Sequence, residues 1–185
     1  DPRIFEYVAE YDTDLVNWPM SDDGPLLLQV IAHYPEYTEN TIKMILKYVD
    51  DINATDWYGN TALILVAKDI DSYNTEPNNP YELHTLIINI LLQYGADPWI
   101  KNSNDETAIS YMINMQMVDL LEVMLNVDTP VKHYVGPDLL FRAILKNNYD
   151  LIEVLLKYSK DINRSTYESM LDIAIQMEAE PDIIE

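Results

Sequence analysis

The sequence predicts an all-α fold in which pairs of short helices stack into a solenoid of about five helix-turn-helix units. Helix-type spacing of apolar residues recurs along the whole chain, glycine occurs only four times, and similar apolar segments return at intervals of tens of residues. Helices of two to three turns are marginal alone, and those that are apolar on all sides must lie between neighbours. We therefore expect each unit to bury its apolar faces against the next one.

Four segments carry the pattern of a unit's second helix. The first places Ile42, Ile45 and Leu46 on one face of a helix. The other three are apolar on nearly all sides and comprise residues 86–94, 120–125 and 151–158. Their composition predicts that they are packed between neighbouring helices.

A related segment precedes each of these four helices, and a fifth copy follows the last of them. These segments predict the first helix of each unit. The first copy begins near Gly24, and the later ones span residues 60–67, 106–113, 136–143 and 167–174. The spacing is 30 residues from Thr107 to Pro137 and 31 residues from Pro137 to Glu168. Thr61 and Thr107 stand where a helix N-cap belongs, and Gly95 fits a left-handed residue just after a helix end.

Three short motifs resemble the ankyrin-repeat family. Residues 61–64 (Thr-Ala-Leu-Ile) resemble the T-P-L-H start of an ankyrin repeat, and residues 91–97 (Leu-Leu-Gln-Tyr-Gly-Ala-Asp) look like its L-L-x-x-G-A-D close. Residues 56–61 (Asp-Trp-Tyr-Gly-Asn-Thr) resemble its D-x-x-G-x-T entry. The resemblance covers roughly residues 15–178, is specific at 51–100 and degenerate elsewhere. It implies a single ankyrin-repeat domain over residues 1–185, with short hairpin loops, protein binding and no catalysis.

The chain departs from the family pattern in two ways. The family's histidine is replaced at Ile64, Ser110, Leu140 and Leu171, which implies a less regular stack. Thr61 and Thr107 are 46 residues apart, against about 33 in the family, so roughly 13 residues are inserted. Because the inserted stretch contains Pro77 and Pro80, we expect an exposed loop at about 69–83 between the two helices of that unit.

The charge of the chain restricts its partners. Lys and Arg number 11 against 32 Asp and Glu, which gives a net charge of −21 and argues against binding nucleic acid or an anionic membrane. Residues 1–42 hold nine acidic residues and one basic residue, and no Lys or Arg lies between residues 69 and 100. This charge is either a solubility feature or a surface for a basic protein. The second is favoured, because solubility needs only about 2 to 8 charges.

No motif in the sequence predicts catalysis, a cofactor or a metal site. Cysteine is absent, which excludes disulfides and a cysteine nucleophile, and none of the three histidines stands in a zinc-binding pattern. The phosphate-binding glycine motifs and the nucleophile-elbow motif are also missing. Adjacent acids such as Asp50 and Asp51 fall in predicted turns. We therefore predict a cytoplasmic non-enzyme that needs no cofactor and is monomeric when free.

Aromatic residues in the predicted hairpins are the candidate anchors for a protein partner. Trp57 and Tyr58 stand at a predicted hairpin tip and Trp99 in the next hairpin, where each Trp is either a packed residue or a binding residue. The predicted partner-binding residues are Asp56, Trp57, Tyr58, Asp71, Tyr73, Glu76, Trp99 and Asp105.

The expected function is a binding module that covers the working surface of a basic protein, as an immunity protein or antitoxin does. Three alternatives stay open from sequence alone. The first is a pathogen or viral effector that binds a host regulatory protein. The second is the targeting array of a larger enzyme, and the third is a passive spacer.

Overall fold

A computed structural model describes residues 10–12, 14–17, 24–33, 39–69, 80–128 and 135–159, together with residues 165, 168, 169 and 172. Over these residues the protein is all-helical, which confirms the all-α part of the prediction. The β pairings found there are two isolated bridges, Thr55–Thr61 and Val135–Ser159. The chain divides into two compact units, residues 1–111 and 112–185.

The first unit is built from two packed pairs of helices. Its helices are α1 (Asp14–Asn17), α2 (Leu26–His33), α3 (Glu39–Leu46), α4 (Ala62–Asp69) and α5 (Pro80–Gln93), and α6 (Ala108–Asn114) begins in it. Helix α2 pairs with α3 and α4 pairs with α5, while α2 also packs on α4 and α3 on α5. The first helices of the two pairs therefore form one layer and the second helices form another, with α1 against α2.

Helices α4 and α5 contribute a large part of the core of this unit. Leu63, Val66 and Ala67 of α4 have no exposed surface, and the same holds for Ile88 and Leu91 of α5. Helix α4 is buried on nearly all sides because it contacts both α2 and α5. Burial of an aliphatic side chain contributes about 1.5–3 kcal/mol, so contacts between helices stabilise elements that are too short to persist alone.

The helix ends of this unit are fixed by the residues that the sequence singled out. The N–H of Ile64 donates to Oγ1 of Thr61 at 3.2 Å, and the N–H of Ser110 donates to Oγ1 of Thr107 at 3.1 Å, which confirms both N-caps. Gly95 has a φ of 91°, which confirms the left-handed residue. Its N–H donates to the carbonyl of Leu92, and the next N–H donates to that of Leu91, so carbonyls at the end of α5 are satisfied.

The inserted segment is shorter than the sequence predicts at its C-terminal end. Helix α4 ends at Asp69 and α5 begins at Pro80, so residues 80–83, expected in the loop, are helical. The expectation that Pro80 interrupts a helix is wrong, because proline is accommodated in the first turn. There its missing N–H would have no intrahelical partner, and its fixed φ already suits a helix.

The second unit repeats a helix at an interval of 31 residues, from 118 to 149. Residues 118–125 (Val-Asp-Leu-Leu-Glu-Val-Met-Leu) correspond to residues 149–156 (Tyr-Asp-Leu-Ile-Glu-Val-Leu-Leu), and the second copy packs on the first. An exposed hydrogen bond of 2.5 Å from Lys157 Nζ to Glu122 Oε1 joins them and raises the pKa of Lys157. The helices of this unit are α7 (Val118–Leu125), α8 (Pro137–Leu145) and α9 (Tyr149–Tyr158).

The turns before α7 and α9 are also related. Gln116 and Asn147 have positive φ values of 59° and 51°, and each stands in a turn between two consecutive helices. Asn148 caps α9 by accepting hydrogen bonds from the N–H groups of Asp150 and Leu151, and it donates to Oε1 of Gln116 at 3.0 Å. Side-chain hydrogen bonds therefore join both the two related helices and the turns that precede them.

None of the helices within the described ranges combines the length and the apolar character that crossing a bilayer requires.

Candidate functional site

A tight turn, residues 56–60, presents the two predicted aromatic anchors. Oδ1 of Asp56 accepts hydrogen bonds from the N–H groups of Tyr58 at 2.9 Å and Asn60 at 2.7 Å, and Oδ2 accepts from Nδ2 of Asn60 at 2.9 Å. The N–H of Gly59 donates to the carbonyl of Asp56, and the bridge Thr55–Thr61 closes the base of the turn. One carboxylate thus fixes the conformation of the whole turn.

A second turn, residues 102–106, has the same hydrogen-bond pattern 46 residues later. Oδ1 of Asn102 accepts from the N–H groups of Asn104 at 2.9 Å and Glu106 at 3.0 Å, as Asp56 does for Tyr58 and Asn60. Asp105 has a φ of 59° at the position that Gly59 occupies with a φ of 75°. The two turns, called the paired turns below, are therefore structural equivalents that display different side chains.

The paired turns are in direct contact. The N–H of Ser103 donates to the carbonyl of Tyr58 at 2.9 Å, and Nδ2 of Asn102 donates to Oδ1 of Asn60 at 2.9 Å. Asn60 and Asn102 are buried, and Asn60 in turn donates to Asp56, so an unbroken row of polar side chains connects the two turns. Buried polar groups whose hydrogen bonds are all satisfied are held in one geometry. The row of polar side chains therefore makes the paired turns a rigid surface.

The close approach of the turns predicts a specific role for Gly59. A Cβ added there would lie 3.1 Å from the nitrogen of Ser103 and 3.2 Å from Cα of Asn102, whereas a Cβ on Gly95 would meet no atom within 4 Å. A left-handed conformation costs a residue other than glycine about 1–2 kcal/mol. We expect Gly95→Ala to lower the free energy of unfolding by that amount, and Gly59→Ala to lower it by about 1 kcal/mol more.

Urea denaturation of both variants measures this difference. Because the two glycines share a positive φ, Gly95→Ala controls for the backbone cost, and only the contact between the turns distinguishes the two variants. Equal losses of stability would show that the turns do not press on each other.

Trp57 and Tyr58 project from the first turn into solvent. The side chain of Trp57 is 78% exposed and that of Tyr58 is 69% exposed. The alternative that Trp57 is a packed core residue is therefore wrong. Large aromatic rings held in solvent by a fixed backbone are characteristic of binding surfaces, because they lose little conformational entropy when a partner covers them.

Trp99 lies in a different setting from Trp57. Trp99 is half-buried. Its backbone N–H donates to Oδ1 of Asp97 at 2.9 Å, and the backbone N–H of Asp97 donates to Oδ1 of Asn53 at 2.8 Å. Trp99 thus stands in the segment that leads into the second turn, before Asn102, and not at its tip. The second tip carries Ser103 and Asn104, both exposed.

The predicted acidic residues divide into two kinds. Asp56 accepts three hydrogen bonds from its own turn, so it positions Trp57 and Tyr58 in addition to supplying negative charge. Asp105 has an 87% exposed side chain and an open ion pair of 3.4 Å with Lys101. Such an exposed pair contributes little to stability, and the Asp105 carboxylate is accessible to a partner.

Ser103, Asn104 and the Asn60–Asn102 bond were not predicted from the sequence. The signal that identifies them is the alignment of residue 56 with 102, which follows from the 46-residue spacing between Thr61 and Thr107. A polar side chain at the first position of each turn, with a positive φ at the fourth, then assigns the same turn to both segments.

Asp71, Tyr73 and Glu76 lie outside the described residues. The residues on either side of this segment are close together, because Nε2 of the buried His84 is 4.0 Å from Oδ2 of Asp69, the last residue of α4. Helix α4 packs on α5, and both residues of this close pair lie outside residues 70–79.

Deleting residues 72–79 should therefore leave the melting temperature nearly unchanged. The shortened connection would still have two residues between α4 and α5, within the range that joins antiparallel helices. If Tyr73 and Glu76 contribute to binding, their removal should weaken the complex, as a titration of the partner would measure. A large fall in melting temperature would instead mean that the segment is packed structure.

Two other acidic residues in the described ranges, Asp50 and Asp51, stand in a turn. Oδ1 of Asp51 accepts from the N–H of Asn53 at 2.9 Å, and the N–H of Asp50 donates to Oδ1 of Asn17 at 2.9 Å, so this acidic pair stands in a turn as predicted. In the part of the chain that the structure describes, no three His, Asp or Glu side chains come together in a way that suits a metal ion.

Comparison with known proteins adds no family to this description. No protein-family model matches the chain, and no curated protein matches it in sequence. The functional conclusions below rest on the helix packing, the paired turns and the charge of the chain itself.

Proposed function

We propose that the protein is a non-catalytic protein-binding module of the ankyrin-repeat type, which captures or inhibits a basic protein by covering its surface. The repeat assignment is supported by three features of the described residues. Helices pair and stack in two layers in the first unit, a helix and its preceding turn recur after 31 residues in the second, and the paired turns share one hydrogen-bond pattern. Stacked units of this kind bury a continuous core and leave their turns for binding.

The observation that carries the binding role is the exposure of Trp57 and Tyr58 on a turn whose conformation is already fixed. Because the hydrogen bonds of Asp56 and the row through Asn60 and Asn102 order the turn before binding, its entropy is not lost on association. Trp and Tyr are the side chains most often found at the energetic centres of interfaces. The paired turns therefore supply a preformed anchor.

The charge of the first unit supports a basic partner. Residues 1–111 contain 19 acidic and 5 basic residues. A surface of one sign attracts partners of the other sign over several ångströms and repels those of its own. A rigid acidic surface with aromatic anchors is suited to masking a basic functional surface, such as the substrate-binding face of an enzyme that acts on nucleic acid.

A pull-down with mass spectrometry, at low and then at high salt, tests this proposal. We expect a basic protein to be retained at low salt by the unaltered chain and by Tyr149→Ala, and to be lost with the double variant Trp57→Ala, Tyr58→Ala. Tyr149 is a matched control because its side chain is 79% exposed and it precedes an acidic residue. The proposal would be contradicted if the same amount of basic protein were retained by the double variant and at high salt.

A further inference from the structure

We propose that the partner contacts the paired turns through arginine, with a guanidinium group stacked on the indole of Trp57. This inference rests on the proposed function, since it names the side chain by which a basic partner is recognised. The observations behind it are an open aromatic face, acidic groups in both turns and a fixed backbone between them.

The aromatic face is open to a cation. With 78% of its side chain exposed and the turn backbone fixed on both sides, the indole of Trp57 offers its ring without a change of conformation. Tyr58, 69% exposed, is the next residue of the same turn. Cations bind over the faces of such rings, and Trp is the strongest of them.

The paired turns add negative charge near that ring. Asp56 immediately precedes Trp57, and its oxygens are held by the turn, so its charge stays at the base of the tip. Asp105 belongs to the turn that the carbonyl of Tyr58 contacts through Ser103, and its carboxylate is 87% exposed. Its exposed contact of 3.4 Å with Nζ of Lys101 shows that this carboxylate can pair with a cationic side chain and still remain open to solvent.

These features favour arginine over lysine. A guanidinium group is planar and weakly hydrated, so it can stack on an indole while its edge still donates hydrogen bonds to carboxylates. The lysine ammonium is a compact and strongly hydrated charge that gains less from an aromatic face. Lysine and arginine respond alike to the net charge of −21, so only the aromatic contact separates them.

Two short peptides of equal charge test this inference. One alternates glycine with arginine and the other alternates glycine with lysine, and each is titrated into the full chain at about 0.02 M salt, where screening is weak. The NMR signal of the Trp57 indole N–H, assigned by its absence in Trp57→Phe, reports the contact. We expect the arginine peptide to bind about 2- to 5-fold more tightly, which corresponds to a cation–π contact at an exposed site.

The variants separate charge from stacking. Calorimetric titration measures the variants, because Trp57→Ala lacks the indole signal. Trp57→Ala should abolish the preference for arginine and leave the affinity for the lysine peptide unchanged, while Tyr149→Ala should retain the preference. Asp105→Asn should weaken both peptides, and it preserves the turn because asparagine tolerates a positive φ.

Each contrary result has a distinct meaning. Equal binding of the two peptides would overturn the arginine assignment and leave the proposed basic partner standing. An arginine preference that survives Trp57→Ala would overturn the role of Trp57. If neither peptide binds in a salt-dependent manner, the proposed function itself is contradicted.

Discussion

Replacing Trp57 with Ala is expected to weaken binding of the basic partner by about 2 kcal/mol or more, roughly 30-fold in Kd. The free energy of unfolding should change by less than about 0.5 kcal/mol, because the ring is 78% exposed and contributes little to the core. Once a partner covers the ring, water leaves the contact, and the interaction is worth more than it is with an exposed peptide. Calorimetric titration of the partner and urea denaturation of the free protein measure the two quantities.

Trp99→Ala is the informative comparison for this prediction. Trp99 is half-buried in the segment before the second turn. Its replacement should therefore lower the free energy of unfolding, whether or not it also weakens binding. Trp57→Ala that lowers the melting temperature and leaves the affinity unchanged would reject Trp57 as an anchor.

Association with the basic partner is expected to depend strongly on salt. Long-range attraction should raise the association rate constant above the unsteered range of about 10⁵–10⁶ M⁻¹s⁻¹. The screening length falls from about 10 Å at 0.1 M salt to about 3 Å at 1 M. Raising salt from about 0.05 to 0.5 M should therefore slow association about tenfold or more and change dissociation much less, as stopped-flow mixing would show.

Neutralising acidic residues at the paired turns and in the insertion should reproduce the effect of salt on association. Asp56→Asn keeps the two Oδ1 turn bonds that Asn102 makes in the equivalent position. It loses the bond from Nδ2 of Asn60 to Oδ2, so its melting temperature is measured alongside its association rate. It is combined with Asp105→Asn, and with Asp71→Asn and Glu76→Gln in the insertion. Neutralising Glu178 and Glu180 near the end of the chain is the control and should do less. An association rate that ignores salt would reduce the charge to a solubility feature.

The features that sequence reasoning predicted correctly are those fixed by local chemistry. Thr61 and Thr107 cap helices because a hydroxyl at that position reaches a free N–H within its own turn, whatever the rest of the chain does. Gly95 ends α5 with a positive φ for an equally local reason. The all-helical class followed from apolar periodicity, which only helix packing satisfies.

The features that sequence reasoning missed depend on contacts between distant residues. Trp57 and Trp99 look alike in sequence, and their different exposure follows from where each stands relative to a turn that is fixed by Asn102 and Asn60, 42 residues apart. The error at Pro80 has another origin. Proline either ends a helix or begins one, and the apolar pattern that follows decides which.

Photo-crosslinking from the first turn tests the central claim most directly, because it reports which surface touches the partner. A photoreactive phenylalanine analogue replaces Tyr58 in one protein and Tyr149 in another, two exposed aromatic positions that tolerate a similar ring. We predict that the protein labelled at 58 crosslinks to the basic partner at low salt, with the yield falling as salt rises, and that the protein labelled at 149 does not. Crosslinking from position 149 with none from position 58 would contradict the assignment of the paired turns as the binding surface.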